Sequence, residues 1–186
     1  MGASGSSVTS IIDKIVELHL ALDRVGLPHA FGGALALAWC TRMARGTIDI
    51  DINLFVDPSS ASTVYDALPG GIELTDRGRA EVARDGQTRL WWEETPLDLF
   101  FNTTPFHETV ATRARVESFN GEQVPFLACR DIAVFKAFFD RPKDWVDLGE
   151  MATAGTLDYE SVIGTLVVHL GGGDHRIERL RSLAVS

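Results

Sequence analysis

Apolar residues recur near i, i+3, i+4 and i+7 over residues 8–25, "VTSIIDKIVELHLALDRV", which predicts an amphipathic helix ended by Gly26 and Pro28. "HAFGG" follows as a short strand running into a glycine turn, and "ALALAWCTRM" reads as a largely buried helix. "TIDIDINLFV" alternates apolar and polar positions, which is strand periodicity. "PSSASTVYDAL" opens with Pro and Ser and reads as a further helix, closed by "PGG". The middle of the chain reads as sheet, with strands at "GIELT", "RAEVARDG", "QTRLWWEE" and "PLDLFFN". A short helix near 106–112 precedes a hairpin, "ARVESFNGEQVPFL", marked by the turn dipeptide Asn120-Gly121. From residue 130 the strand pattern stops, and helices interrupted at Pro142, Gly155 and Gly171–Gly173 run to the end. The expected fold is α/β (α+β): a mixed β-sheet core flanked by helices, followed by a helical C-terminal part. The expected organisation is a flexible tail at 1–7, a core at 8–129 and a helical part at 130–186 packed on it, in a single domain.

Composition narrows the class. The chain has 186 residues, 45% hydrophobic and 23% charged, ordinary figures for a globular domain with a filled core. No apolar run approaches the roughly 18 residues that cross a bilayer, and "MGASGSSVTS" lacks the plan of a signal peptide. A cytoplasmic location with no membrane partner is expected. A net charge of −9 argues against indiscriminate nucleic-acid binding but leaves room for a local basic face. Arg77, Arg79, Arg84 and Arg89, with Arg42 and Arg45, are equally readable as such a face or as solvated surface. Cys40 and Cys129 read as two reduced buried thiols, and the histidines at 19, 29, 107, 169 and 175 have no metal-ligand spacing. His29, just before the glycine pair, is read as structural.

"GTIDIDINLF" sets Asp49 and Asp51 two apart in an apolar run. In a strand, Thr47, Asp49, Asp51 and Asn53 share one face, while Ile48, Ile50 and Ile52 pack the other into the core. Paired carboxylates repel and are costly to desolvate, and a hard divalent cation is what relieves both penalties. Asp98, among Leu97, Leu99, Phe100 and Phe101, is the candidate third acid, with the metal as its missing partner. A surface strand reads D-x-D just as easily. Gly32-Gly33 strengthens the metal reading, because glycines there let backbone approach a ligand and the next helix start presents free N–H groups to a phosphate. Lys136, in "AVFKAFF", needs an anionic partner or must snorkel, and a nucleotide phosphate is one such partner. Asp144 reads equally as a helix cap after Pro142 or as a site carboxylate, and Asp147 as structural. Trp91, Trp92 and Trp145 are read as core in preference to base-stacking groups.

"GG" at 32–33, "RGTIDIDINLFV" at 45–56 and "LDLFF" at 97–101 resemble the nucleotidyltransferase superfamily typified by DNA polymerase β. "FKAFFDRPKDWVDLGEM" at 135–151 is similar to the signature of the AbiEii-type toxin nucleotidyltransferases, which include the mycobacterial MenT toxins. The resemblance implies Mg²⁺ held by Asp49, Asp51 and Asp98, with Asp98 able to help deprotonate an attacking hydroxyl. It implies an NTP triphosphate held by the backbone of Gly32 and Gly33 and by Lys136 and Arg141, with Thr47 pointing into the same site. Asp144 matches a further family carboxylate, and Thr47 a hydroxyl whose phosphorylation silences such enzymes. The implied activity is transfer of NMP from an NTP to RNA, at the 3′ acceptor end of tRNA, by a toxin with a cognate antitoxin protein. The competing expectations are an aminoglycoside- or lincosamide-type nucleotidyltransferase and a non-catalytic binding protein that keeps the fold.

Overall fold

The structure is a computed structural model in which residues 10–43 and 45–184 are described. The tail expected at 1–7, and the first two residues of the helix expected from 8, lie outside the described residues.

Helix α1 (Ile11–Arg24) starts where Ser10 accepts the Asp13 N–H at 3.2 Å, and its inward stripe is Ile15, Leu18 and Leu22. Strand β1 (His29–Phe31) leads into α2 (Gly33–Thr41), and β2 (Ile50–Leu54) follows. A 3₁₀ turn and α3 (Ala61–Ala67) connect to the short β3 (Ile72–Glu73). Helix α4 (Asp76–Asp85) then precedes the hairpin of β4 (Gln87–Trp92) and β5 (Thr95–Phe101). Helix α5 (Pro105–Ala111) is followed by a second hairpin, β6 (Arg115–Phe119) and β7 (Glu122–Phe126). Helices α6 (Cys129–Phe139), α7 (Pro142–Thr153), α8 (Tyr159–Leu170) and α9 (His175–Leu183) complete the chain, breaking where Pro142, Gly155 and Gly171 predict.

The described strands form one mixed sheet in the order β3-β4-β5-β2-β1-β7-β6. Strands β2 and β5 are parallel, as are β1 and β7, and the remaining pairings are antiparallel. Ile50, Ile52, Leu90, Leu97 and Leu99 alternate into the core from three adjacent strands. The C-terminal helices close on the sheet through α6, which packs on α2, α7 and α8. Among the described residues no helix is long and apolar enough to cross a membrane.

Four expectations are corrected. "RAEVARDG" lies in helix α4, because Thr75 accepts the Gly78 N–H and the buried Gly78 and Val82 sit one helical turn apart. Strand β2 starts at Ile50, so Ile48 precedes the pleat and is 82% exposed instead of packed. Cys40 and Cys129 are joined as a disulfide between α2 and the first residue of α6, their Cα atoms 5.4 Å apart. Trp92 and Trp145 are buried as expected, whereas Trp91, on the opposite face of β4, is exposed.

Two buried polar groups are structural. Lys14 donates to the Trp92 carbonyl and to Thr95 Oγ1, both at 2.9 Å, and pairs with Glu93, which ties α1 to the β4–β5 turn. The rings of His29 and His19 are linked at 3.0 Å, and burial lowers the His29 pKa; His29 is not among the residues that line the cleft at the glycine turn.

Candidate active site

Strand register assembles the acids. The parallel pairing of β2 and β5 sets Asp51 opposite Asp98, and the antiparallel pairing of β4 and β5 sets Arg89 opposite Asp98. Directly opposed residues project to the same face, so Asp51, Asp98 and Arg89 stand side by side. Asp49 lies just before β2, and its Oδ1 accepts the Thr47 hydroxyl at 2.7 Å. Thr47 thus points at the acids from the entering loop instead of from the strand.

The glycine turn is shaped around Asp51. Gly32 N–H donates to the Asp51 carbonyl at 2.8 Å, which removes that group from the expected triphosphate contacts. The first helical bond of α2 runs from Ala36 N–H to the Gly32 carbonyl, so the N–H groups of Gly33, Ala34 and Leu35 precede helical pairing. Gly33 has φ +54°, and a Cβ built on it falls 1.8 Å from Asp51 Oδ2. Only glycine fits, for backbone and for space. Gly33→Ala is expected to displace the Asp51 carboxylate, cutting turnover by about 100-fold or more and stability by about 1–3 kcal/mol. Initial rates and thermal melts of the variant check this. Near wild-type rates would show that Asp51 need not sit against α2.

Charges in the site are unevenly matched. Arg89 grips Asp98 with two bonds, Nε to Oδ1 at 2.7 Å and Nη2 to Oδ2 at 2.6 Å, and its Nη2 lies 3.8 Å from Asp49 Oδ2. The expectation that Asp98 is unpartnered is therefore corrected: the hairpin supplies an arginine. Asp51 is the acid under stress. Burial, then Asp49 and Asp98, push its pKa up to about 6.

A second cluster lies across the cleft on α6 and α7. Lys136 donates to Asp147 at 2.6 Å and to Asp144 at 3.4 Å, so its charge is balanced within the chain and needs no nucleotide. Arg141 is the N-cap of α7 and not a residue inside a helix; its Nε donates to Asp144 Oδ2 at 2.6 Å. Asp144 is fully buried, accepts the Arg141 N–H as the helix-cap reading expects, and is ion-paired with Lys136 and Arg141. Burial pushes its pKa up, but Arg141 and Lys136 outweigh that and hold it below the usual range. Asp147 also takes Arg45 Nη1 at 2.6 Å, which makes it a cleft residue that sequence reasoning set aside.

The two clusters line one cleft of about 1060 Å³, with Gly33, Asp49, Asp51, Asp98, Lys136 and Arg141 among its walls. Its aromatic end carries His107 stacked on Phe135 at 5.2 Å, with Phe106 edge-on to Phe135 and His169. Of the predicted site residues, Gly32, Thr47 and Asp144 do not line the cleft; Thr47 bonds to Asp49 and Asp144 to Lys136, which do.

Solved structures with this architecture share little sequence with it. A nucleotidyltransferase-like antigenic protein from Paracoccidioides brasiliensis superimposes with a TM-score of 0.51 at 13% identity, over 92% of this chain and 94% of that one. ANT(2'')-Ia in complex with adenylyl-2''-tobramycin gives a TM-score of 0.50 at 17% identity, over 94% of this chain and 96% of that one. The fold is nucleotidyltransferase-like. No family model matches the chain, and no curated protein matches it.

The donor set suits a hard divalent cation: oxygen ligands only, crowded enough to raise the pKa of Asp51. Among the described residues no three acids or histidines are yet drawn together as a metal site.

Proposed function

We propose that this chain is a metal-dependent nucleotidyltransferase that moves NMP from an NTP to the 3′ acceptor end of tRNA, acting as a toxin held in check by a cognate antitoxin. The observation that carries the chemistry is the fit of Gly33 around the Asp51 carboxylate beside Asp49 and Asp98. Asp49, Asp51 and Asp98 would hold Mg²⁺, which supplies charge neutralisation at the α-phosphate. The free N–H groups opening α2 would receive phosphate oxygens, with Lys136 and Arg141 adding positive charge across the cleft. Asp98 would take the proton of the acceptor hydroxyl as that oxygen bonds to the α-phosphorus and pyrophosphate leaves. The nucleobase would lie against Phe135 and His107. A phosphate on Thr47 would stand beside Asp49 and set its charge against NTP binding.

The acceptor is supported by the resemblance of the 135–151 segment. One observation favours a second reading, a small hydroxylated acceptor of the aminoglycoside kind. Five of the arginines counted toward an RNA face have partners within the chain: Arg77 with Glu81 at 2.8 Å, Arg84 with Asp85, Arg89 with Asp98, Arg45 with Asp147, and Arg79 over the Tyr65 ring at 4.9 Å. ANT(2'')-Ia, bound to adenylyl-2''-tobramycin, has a similar fold. Purified protein incubated with Mg²⁺, each labelled NTP, and either bulk tRNA or an aminoglycoside panel separates the two. Label on tRNA supports the first reading and label on drug moves the acceptor to the second. No label from any NTP on either would overturn nucleotidyl transfer.

A further inference from the structure

Arg89 lines the cleft beside the acids, yet neither the motifs nor the proposed chemistry uses it. It stands on β4 directly across from Asp98, occupies both of that carboxylate's oxygens, and lies 3.8 Å from Asp49. A planar fork of N–H donors suits this bidentate grip in a way a lysine does not. Its other surroundings leave it free to move, because its side chain is 51% exposed on the cleft wall. Of the other cations that line the cleft, Lys136, Arg141 and Arg45 are bound to Asp144, Asp147 and Glu150, and Arg84 to Asp85. Among the described residues, Arg89 is the cation that forms ion pairs with Asp49 and Asp98.

We infer that Arg89 is a resident counter-cation: it holds Asp98 and Asp49 together in the metal-free protein and must release Asp98 before a divalent cation can use all three acids. This role rests on the nucleotidyltransferase reading and adds the regulation of that site. A cation drawing on Asp98 and Asp49 would sit within a few ångströms of the guanidinium, and two positive centres so close repel strongly in a partly dry cleft. Loading metal alone is therefore opposed. An incoming triphosphate changes the balance, since its anionic oxygens offer the freed guanidinium a bidentate partner to replace Asp98. Metal and nucleotide then enter together, and the bare protein stays metal-poor. Arg89 acts through the acids, as a positioning residue.

The test is Mn²⁺ binding to the nucleotide-free protein, read by electron paramagnetic resonance of the free ion. Arg89→Gln, which cannot compete as a cation, is expected to bind Mn²⁺ about tenfold more tightly than wild type. Arg89→Lys, which restores the charge without the fork, is expected to return within about threefold of wild type and also serves as the folding control. A non-hydrolysable NTP analogue is expected to tighten wild type more than Arg89→Gln, narrowing the gap. Equal Mn²⁺ affinity in wild type and Arg89→Gln would overturn the role of Arg89 while leaving the metal reading intact. Absence of Mn²⁺ binding in every protein, with and without the analogue, would overturn both.

Discussion

Asp51→Asn is expected to abolish nucleotidyl transfer and, at neutral pH, to make the metal-free protein harder to melt. The two effects have one origin. Asp51 is buried beside Asp49 and Asp98, and its pKa is pushed up to about 6, so at pH 7 the folded chain holds an ionised carboxylate in a place that disfavours it. The unfolded chain releases that proton near the ordinary value of 3.8, and between about pH 4 and 6 the folded state binds more protons than the unfolded one. Stability from this group therefore falls as pH rises through that window and stays at its lower level above it. Asparagine keeps the shape and cannot ionise, so it should recover about 1–3 kcal/mol at pH 7 and little at pH 4. Turnover should drop by about 10³-fold or more, because the variant lacks a carboxylate proposed to hold the cation. Thermal melts in chelator at pH 4.5 and 7, with rates in Mg²⁺, decide it. A variant that melts below wild type at pH 7, or one that keeps its activity, would remove Asp51 from the centre of the site.

That tension between a folding cost and a function is the part of the molecule the sequence announces. Asp49 and Asp51 stand out because carboxylates interrupt an apolar alternation, and Gly32-Gly33 because glycine opens a helix instead of closing one. Strand and helix positions outside α4 follow from periodicity together with the Pro, Gly and Asn-Gly breaks, since β1 is buried at every position and β6 at none. Helix α4 fails the same test because only Gly78 and Val82 turn inward, too few to separate a helical period from an alternating one. The partner of Asp98 was within reach. With a two-residue turn at Glu93-Glu94, Trp92 opposes Thr95 and counting outward puts Arg89 opposite Asp98. That turn carries no Asn-Gly or Asp-Gly signal, and Glu93 adopts a φ of +54° without being glycine, so nothing local marks the register. The Lys136–Asp147 pair spans two helices whose packing angle no local pattern encodes. These contacts belong to tertiary structure, and they decide which charges in the cleft are free for a substrate.

The disulfide is the extreme case of a contact without a local signal, and its loss should carry the largest stability effect in the chain. Cys40 and Cys129 are 89 residues apart, one in the last turn of α2 and the other the first residue of α6. Closing so long a loop restricts the unfolded ensemble severely, which by the chain-entropy account stabilises the fold by about 4–5 kcal/mol. Native bridges commonly return about 2–5 kcal/mol on removal, which for a chain of this size is a fall of roughly 5–15 °C in melting temperature. The consequence reaches the site, because α2 begins at Gly33 and α6 carries Lys136. Cys129, the first residue of α6, is the more accessible sulfur to a dithiol, with Arg115 Nη1 3.6 Å from its Sγ, while Cys40 is fully buried. Wild type melted with and without excess dithiol, alongside Cys129→Ser, is expected to give one high curve and two coincident lower ones. Two alkylatable thiols in the untreated native protein, with all three curves superposed, would establish that the pair stays reduced and that α2 and α6 hold together by packing alone.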